Sequence, residues 1–142
     1  MTKESSSFCR TLTLEASPKN LREVRSFIEE IAKELGLGEE EAYDLKVAVS
    51  EATANAIEHS GGLTYLEICA HLHPDRLTVE ISDGGDFRLA PRRPDSSSGR
   101  GLGLPLMVAL MDEVRIYKTP EKGTTVALSL FVGVRNGTNN GA

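Results

Sequence analysis

"VAVSEATANAIEHS" (Val47–Ser60) is the stretch on which the reading of this chain turns. Its small apolar residues suit a buried helix, yet Glu51, Asn55 and His59 interrupt them at intervals of four. Residues i and i+4 occupy neighbouring turns of one helix face, so the carboxylate, amide and imidazole form a polar line. Ala52, Ala54 and Ala56 leave room beside the backbone. A glutamate on a pocket wall can accept a proton or orient a nucleophile. An asparagine carbonyl oxygen is a hard ligand suited to Mg²⁺, which takes few protein ligands beside phosphate oxygens. Taken alone, the stretch is also compatible with a solvated helix face that carries no chemistry.

Working outward, this helix opens on "GEEEAYDL", with acids at its positive N-terminal end, and is expected to stop before Gly61–Gly62. A helix precedes it in "SPKNLREVRSFIEEIAKELGLG", with Ser17 as N-cap, Pro18 at the first helical position and Gly36 at the stop. Leu21, Val24, Phe27, Ile28, Ile31 and Leu35 form its apolar stripe. Before that, "FCRTLTL" (8–14) alternates in a period of two and predicts a strand. After the central helix, Leu63–Leu72 and Arg76–Ser82 predict a hairpin joined by "HPD". Leu66, Ile68, Ala70 and Leu72 share one face of the first strand, as Leu77, Val79 and Ile81 do in the second. Periodicity vanishes in "DGGDFRLAPRRPDSSSGR" (83–100), a loop long enough to suggest a functional segment. A short helix over Leu104–Met111 and the strands "EVRIYKT" and "TTVALSLFV" complete the pattern. The expected fold is α+β, a two-layer sandwich with helices on one face of a mostly antiparallel mixed sheet. Residues 1–132 are expected to form one domain and 133–142 a loose tail.

The bulk properties agree with one compact domain: 142 residues, 39% hydrophobic, 26% charged, formal net charge -5. The interleaved, net acidic charge argues against direct nucleic-acid binding, which uses a basic face. No apolar run is long enough for a membrane span or a signal h-region, so no membrane association is expected. Two cysteines without a C-x-x-C spacing fit a reduced, cytoplasmic setting. Cys69, His71 and His73 alternate along one strand face, but a fourth ligand of the right kind is missing, and zinc is not expected there. A hydrolase triad has no G-x-S-x-G elbow to rest on.

Three further segments could carry chemistry. In "ISDGGDF", Asp83 follows an apolar strand, and Gly84 and Gly85 permit close approach of a flat ligand. In "GRGLGLP", Gly99, Gly101 and Gly103 precede a helix, where backbone N–H groups can face phosphates. It is neither a G-x-x-x-x-G-K-[ST] phosphate loop nor a good dinucleotide fingerprint. In "EKGTTVAL" a glycine enters a strand and two hydroxyls follow. Each segment taken alone is an ordinary turn or connector.

Their order is more specific than any of them. E-x-x-x-N on a helix, D-x-G after a strand, a long loop, G-x-G-x-G before a helix and G-T on a last strand together resemble the Bergerat ATP-binding fold. That fold is shared by gyrase-type ATPases, histidine kinases and anti-sigma-factor serine kinases. "AVSEATANAIEH" and "GRGLGLPLMVALMDEV...GTTV" look closest to the anti-sigma-factor kinases, over about Leu12 to Val132. The resemblance implies ATP and Mg²⁺ as cofactors, Glu51 as general base and Asn55 as magnesium ligand. It makes Asp83 the acceptor for the adenine amino group, with Gly85 shaping that pocket and Thr124 supporting the adenine end. Gly101 and Gly103 bring backbone to the phosphates, with Arg100 as a cation beside them. It also implies a sigma factor and an anti-anti-sigma protein as partners, and a homodimer. His59 is read instead as a helix end. Three functions compete: a protein-serine kinase that sequesters a sigma factor, a nucleotide-dependent binding module without transfer, and a detached histidine-kinase catalytic domain. The last would sit beside a helical hairpin with a phosphoacceptor histidine, for which no segment is seen. A gyrase-like ATPase would need a further domain. Glu51 favours the first over the second, since a pure binder needs no base.

Overall fold

The computed structural model describes residues 8–59, 65–83, 103–120 and 123–132. Its elements are β1 (Cys9–Glu15), α1 (Leu21–Leu35), α2 (Glu39–Glu58), β2 (Tyr65–His73), β3 (Arg76–Ser82), α3 (Gly103–Leu110), β4 (Glu113–Thr119) and β5 (Gly123–Phe131). The strands form one sheet in the order β1-β2-β3-β5-β4, and each of its pairings is antiparallel. The expected α+β, two-layer arrangement holds.

Alternation decides which sheet face meets the helices. Ile68 lies opposite Ile81, Ile81 opposite Val126 and Val126 opposite Ile116, an apolar row across four strands. Ala70, Val79, Leu128 and Val114 make the next row. Both rows face the layer that carries Val24, Ile28 and Ile31 of α1 and Leu45, Ala48, Val49 and Ala52 of α2, all in one core. Fully burying one such large aliphatic side chain is worth roughly 1.5–3 kcal/mol, so the buried members of these rows, Ile68, Ile81, Val79 and Leu128, hold the two layers together. The opposite face is polar: Thr78 Oγ1 and Ser129 Oγ lie 2.9 Å apart, as do Ser82 Oγ and Thr125 Oγ1. Such one-sided covering is characteristic of antiparallel sheets.

The start of α1 differs from expectation. Ser17 is extended and makes no side-chain cap; Pro18–Asn20 form a 3₁₀ turn, and the α-helix begins at Leu21. The physical reason is a local competitor, because Asn20 Nδ2 donates to the Glu15 carbonyl at 2.8 Å and ties the entry to the end of β1. Gly36 ends α1 as expected, in the left-handed region at φ 72°. At the next helix start, the Gly38 N–H donates to Glu41 Oε1 at 3.3 Å.

Candidate functional site

α2 lies between α1 and α3, and its two sides do different work. Leu45, Ala48, Val49, Ala52 and Thr53 are buried on the core side, where the Thr53 hydroxyl donates to the Val49 carbonyl at 2.7 Å. The neighbouring side carries the polar line, and Glu51, Asn55 and His59 are all half-buried. His59 occupies the C-cap position, its N–H donating to the Asn55 carbonyl at 3.0 Å.

Opposite this side, the chain delivers two polar groups at the ends of adjacent strands. Asp83 follows β3, and its N–H donates to the Thr124 carbonyl at 3.2 Å, one step beyond the Ser82–Thr125 register pair. Since Ser82 and Thr125 point to the polar face, Asp83 and Thr124 point to the helix face. Asp83 is buried, with 4% exposure. The Thr124 hydroxyl is also buried, and among the described residues it has no hydrogen-bond partner. An unpartnered buried hydroxyl costs free energy, so its presence calls for a ligand or a reason.

One cavity of about 240 Å³ joins these groups. Asn55 and His59 contribute from α2, Asp83 and Thr124 from the sheet. Its remaining walls are apolar: Ala52, Ala56, Leu104, Met107, Ile116 and Val126. A slot with apolar walls, one carboxylate and one unpartnered hydroxyl fits a flat heteroaromatic ring bearing an exocyclic amine. The carboxylate can accept from the amine, and the hydroxyl can complete its hydrogen bond to a ring nitrogen.

Of the residues singled out in the sequence, Asn55, Asp83 and Thr124 therefore come together around one space. Glu51 sits one turn before Asn55 on the same stripe but is not among the lining residues. Gly103 is the first residue of α3. Gly85, Arg100 and Gly101 lie outside the described residues, as do most of the 83–100 loop and the 133–142 tail. His59, read as a helix end, is both a helix end and part of the cavity wall. Sequence reasoning missed Ile116 and Met107. Ile116 had a signal in its strand alternation, whereas Met107 becomes a wall only once α3 is placed.

Comparison with known proteins places the chain in a class and then among particular relatives. A family model described as a histidine kinase-like ATPase domain matches residues 14–130. The chain belongs to that family, and the resemblance expected from its motif order holds. Among curated proteins it is similar to the serine-protein kinase RsbW of Bacillus subtilis (strain 168), with 35% identity over 136 residues, covering 82% of this chain and 81% of that one. Serine-protein kinase RsbW of Staphylococcus epidermidis is 29% identical over 146 residues, covering 92% and 91%. Among solved structures, that of the RsbU and RsbW domains of Rv1364c from Mycobacterium tuberculosis matches with a TM-score of 0.68 and 26% identity. The match covers 87% of this chain and 32% of that one, so this chain spans about a third of the larger protein. The SiaB-SiaC complex from Pseudomonas aeruginosa contains a chain alike in fold, with a TM-score of 0.55 and 14% identity. No described helix is long and apolar enough to cross a membrane.

Proposed function

We propose that the protein is an ATP-dependent protein-serine kinase that phosphorylates an anti-anti-sigma protein and sequesters a sigma factor, so regulating transcription. The observation that carries the nucleotide part is the cavity in which Asp83 and the unpartnered Thr124 hydroxyl meet apolar walls. The kinase and partner assignments are supported by the similarity to serine-protein kinases named RsbW.

In this reading Asp83 accepts from the adenine amino group and Thr124 completes the polar end of the base site. Gly85 shapes that end. Asn55 would offer its amide oxygen to Mg²⁺, and Arg100, Gly101 and Gly103 would serve the phosphates. When bound, Mg·ATP supplies the transferable phosphoryl group and the charge that the metal offsets. Glu51, one turn along from Asn55, takes the proton from the incoming serine hydroxyl. Phosphoryl transfer depends mostly on positioning and electrostatics, so the chain's main task is to hold these groups in line.

The competing reading is nucleotide-dependent binding without transfer, in which Glu51 has no proton to take. One experiment separates the two. The chain is incubated with γ-labelled ATP, Mg²⁺ and an anti-anti-sigma protein, and phosphoserine is then mapped. Labelled serine that disappears in Glu51→Ala supports the kinase. ATP binding with no labelled serine leaves the binding module.

A further inference from the structure

We propose that Cys9, Cys69 and His71 form a zinc-binding site on the polar face of the sheet, at the β1–β2 edge. The sequence places Cys69 and His71 on one strand face and leaves the site short of ligands. Strand pairing brings a second thiol beside them as a third protein ligand: β1 lies antiparallel to β2, with Cys9 opposite His71 and Thr11 opposite Cys69. The two sulfurs and an imidazole nitrogen lie within 4.8 Å of one another. Zinc bonds of about 2.3 Å to sulfur and about 2.0 Å to nitrogen set tetrahedral ligands roughly 3.5–3.8 Å apart. Small side-chain rotations close that difference. Cys9 is exposed and Cys69 half-buried, so a metal has a route in from solvent.

The surroundings are arranged as a zinc site needs. His71 turns Nδ1 toward Cys9 Sγ at 3.9 Å and Nε2 toward Glu80 Oε1 at 3.6 Å. A metal-bound imidazole ordinarily donates its other N–H to a carboxylate, which fixes the ring and raises its basicity. Glu80 is held in turn by Tyr117, whose hydroxyl donates to Oε2 at 3.2 Å. Thr11 Oγ1 lies 3.4 Å from Cys69 Sγ and can donate to a thiolate. Two thiolates and an imidazole select zinc over hard cations such as Mg²⁺, which separates this site from the one proposed for Asn55. Water fills the fourth position.

A disulfide is the competing use of two neighbouring cysteines, and the register disfavours it. Cys9 and Cys69 are diagonal neighbours rather than directly opposite. Diagonal pairs stand about 7–8 Å apart, beyond the roughly 4.4–6.8 Å between α-carbons that a disulfide spans. A metal bridges the wider gap because it inserts two bonds between the sulfurs.

The test uses the full chain, reduced, stripped with a chelator and kept anaerobic, with Co²⁺ as a spectroscopic probe and Zn²⁺ as competitor. The expected result is one equivalent of Co²⁺ with tetrahedral d–d bands and thiolate-to-cobalt charge transfer, displaced by one equivalent of Zn²⁺. Cys9→Ser and Cys69→Ser should each remove about half of the charge-transfer intensity and weaken Zn²⁺ binding at least ~100-fold, with far-ultraviolet circular dichroism unchanged. Glu80→Gln should keep the spectral shape and weaken binding roughly 10–100-fold, the usual effect of losing a carboxylate behind a ligating histidine. His73→Ala should change nothing. A thiolate-free octahedral spectrum, a full spectrum in Cys9→Ser, or loss of binding in His73→Ala would each overturn the site. So would a Cys9–Cys69 disulfide as the sole product when Zn²⁺ is present.

Discussion

The buried Thr124 hydroxyl has no partner among the described residues, and two measurements on one variant reveal why it is there. Thr124→Val removes a polar atom that the free protein leaves unsatisfied, so thermal stability should stay level or rise. If nucleotide completes the hydrogen bond, the same change should weaken ATP binding by about 0.5–1.5 kcal/mol, or roughly two- to thirteenfold. Parallel melting curves and calorimetric titrations check both halves. Glu51 calls for the opposite pattern. Glu51→Ala should leave ATP affinity close to wild type while lowering serine phosphorylation by about 10²–10⁴-fold, the usual worth of a general base. Single-turnover kinetics at saturating ATP would show it, and transfer at the wild-type rate would make Glu51 structural. At this scale the sequence was informative for polar residues and weak for apolar ones. Asn55, Asp83 and Thr124 stand out because a carboxylate, an amide and a hydroxyl interrupt apolar patterns. Met107 and Ile116 do not interrupt theirs, so their place in the wall appears only when elements are assembled.

Helices α1 and α2 pack through a shared core and are tied at the surface by Lys46, whose Nζ donates to Glu29 Oε2 at 2.7 Å. The hydrogen bond from Lys46, followed by its positive charge, lowers the Glu29 carboxyl below its ordinary value. A carboxylate with a depressed folded-state value stabilises the protein above its unfolded value, and that contribution is lost as pH falls through the folded one. Lys46→Met should therefore lower the melting temperature slightly at neutral pH, leave it almost unchanged once Glu29 is protonated at low pH, and so flatten its fall with acidification. Gly36 offers a sharper test of element boundaries. Its φ of 72° is left-handed, and a Cβ there would meet no atom within 4 Å. Gly36→Ala should thus lose stability through backbone conformation alone, by about 1–2 kcal/mol in chemical denaturation. The Gly36 stop was legible because glycine is the residue that reaches this conformation without strain. The 3₁₀ entry at Pro18–Asn20 was not, because it depends on Asn20 reaching the Glu15 carbonyl rather than on Ser17 capping.

For the molecule as a whole, period-two alternation predicted the strands and the face each presents, and 3.6-residue periodicity predicted the first two helices. Strand order was beyond its reach. β5 inserts between β3 and β4, and that insertion brings Thr124 beside Asp83 although the two are far apart in the chain. The same limit hid Cys9 opposite His71, since antiparallel register is set by long-range packing and not by either strand alone. The motif order carried what periodicity could not, because it reports which segments a nucleotide would have to meet. The central claim is that this assembled space is a nucleotide site with Asp83 as its polar anchor. Titration calorimetry with ATP and Mg²⁺, on the wild type and on Asp83→Asn, tests it most directly. The account predicts saturable binding at one site per chain. It also predicts a roughly ten- to hundredfold loss in the variant, because one buried charge-assisted hydrogen bond is worth about 1.5–3 kcal/mol. No ATP binding by the wild type, or equal affinity in Asp83→Asn, would contradict it.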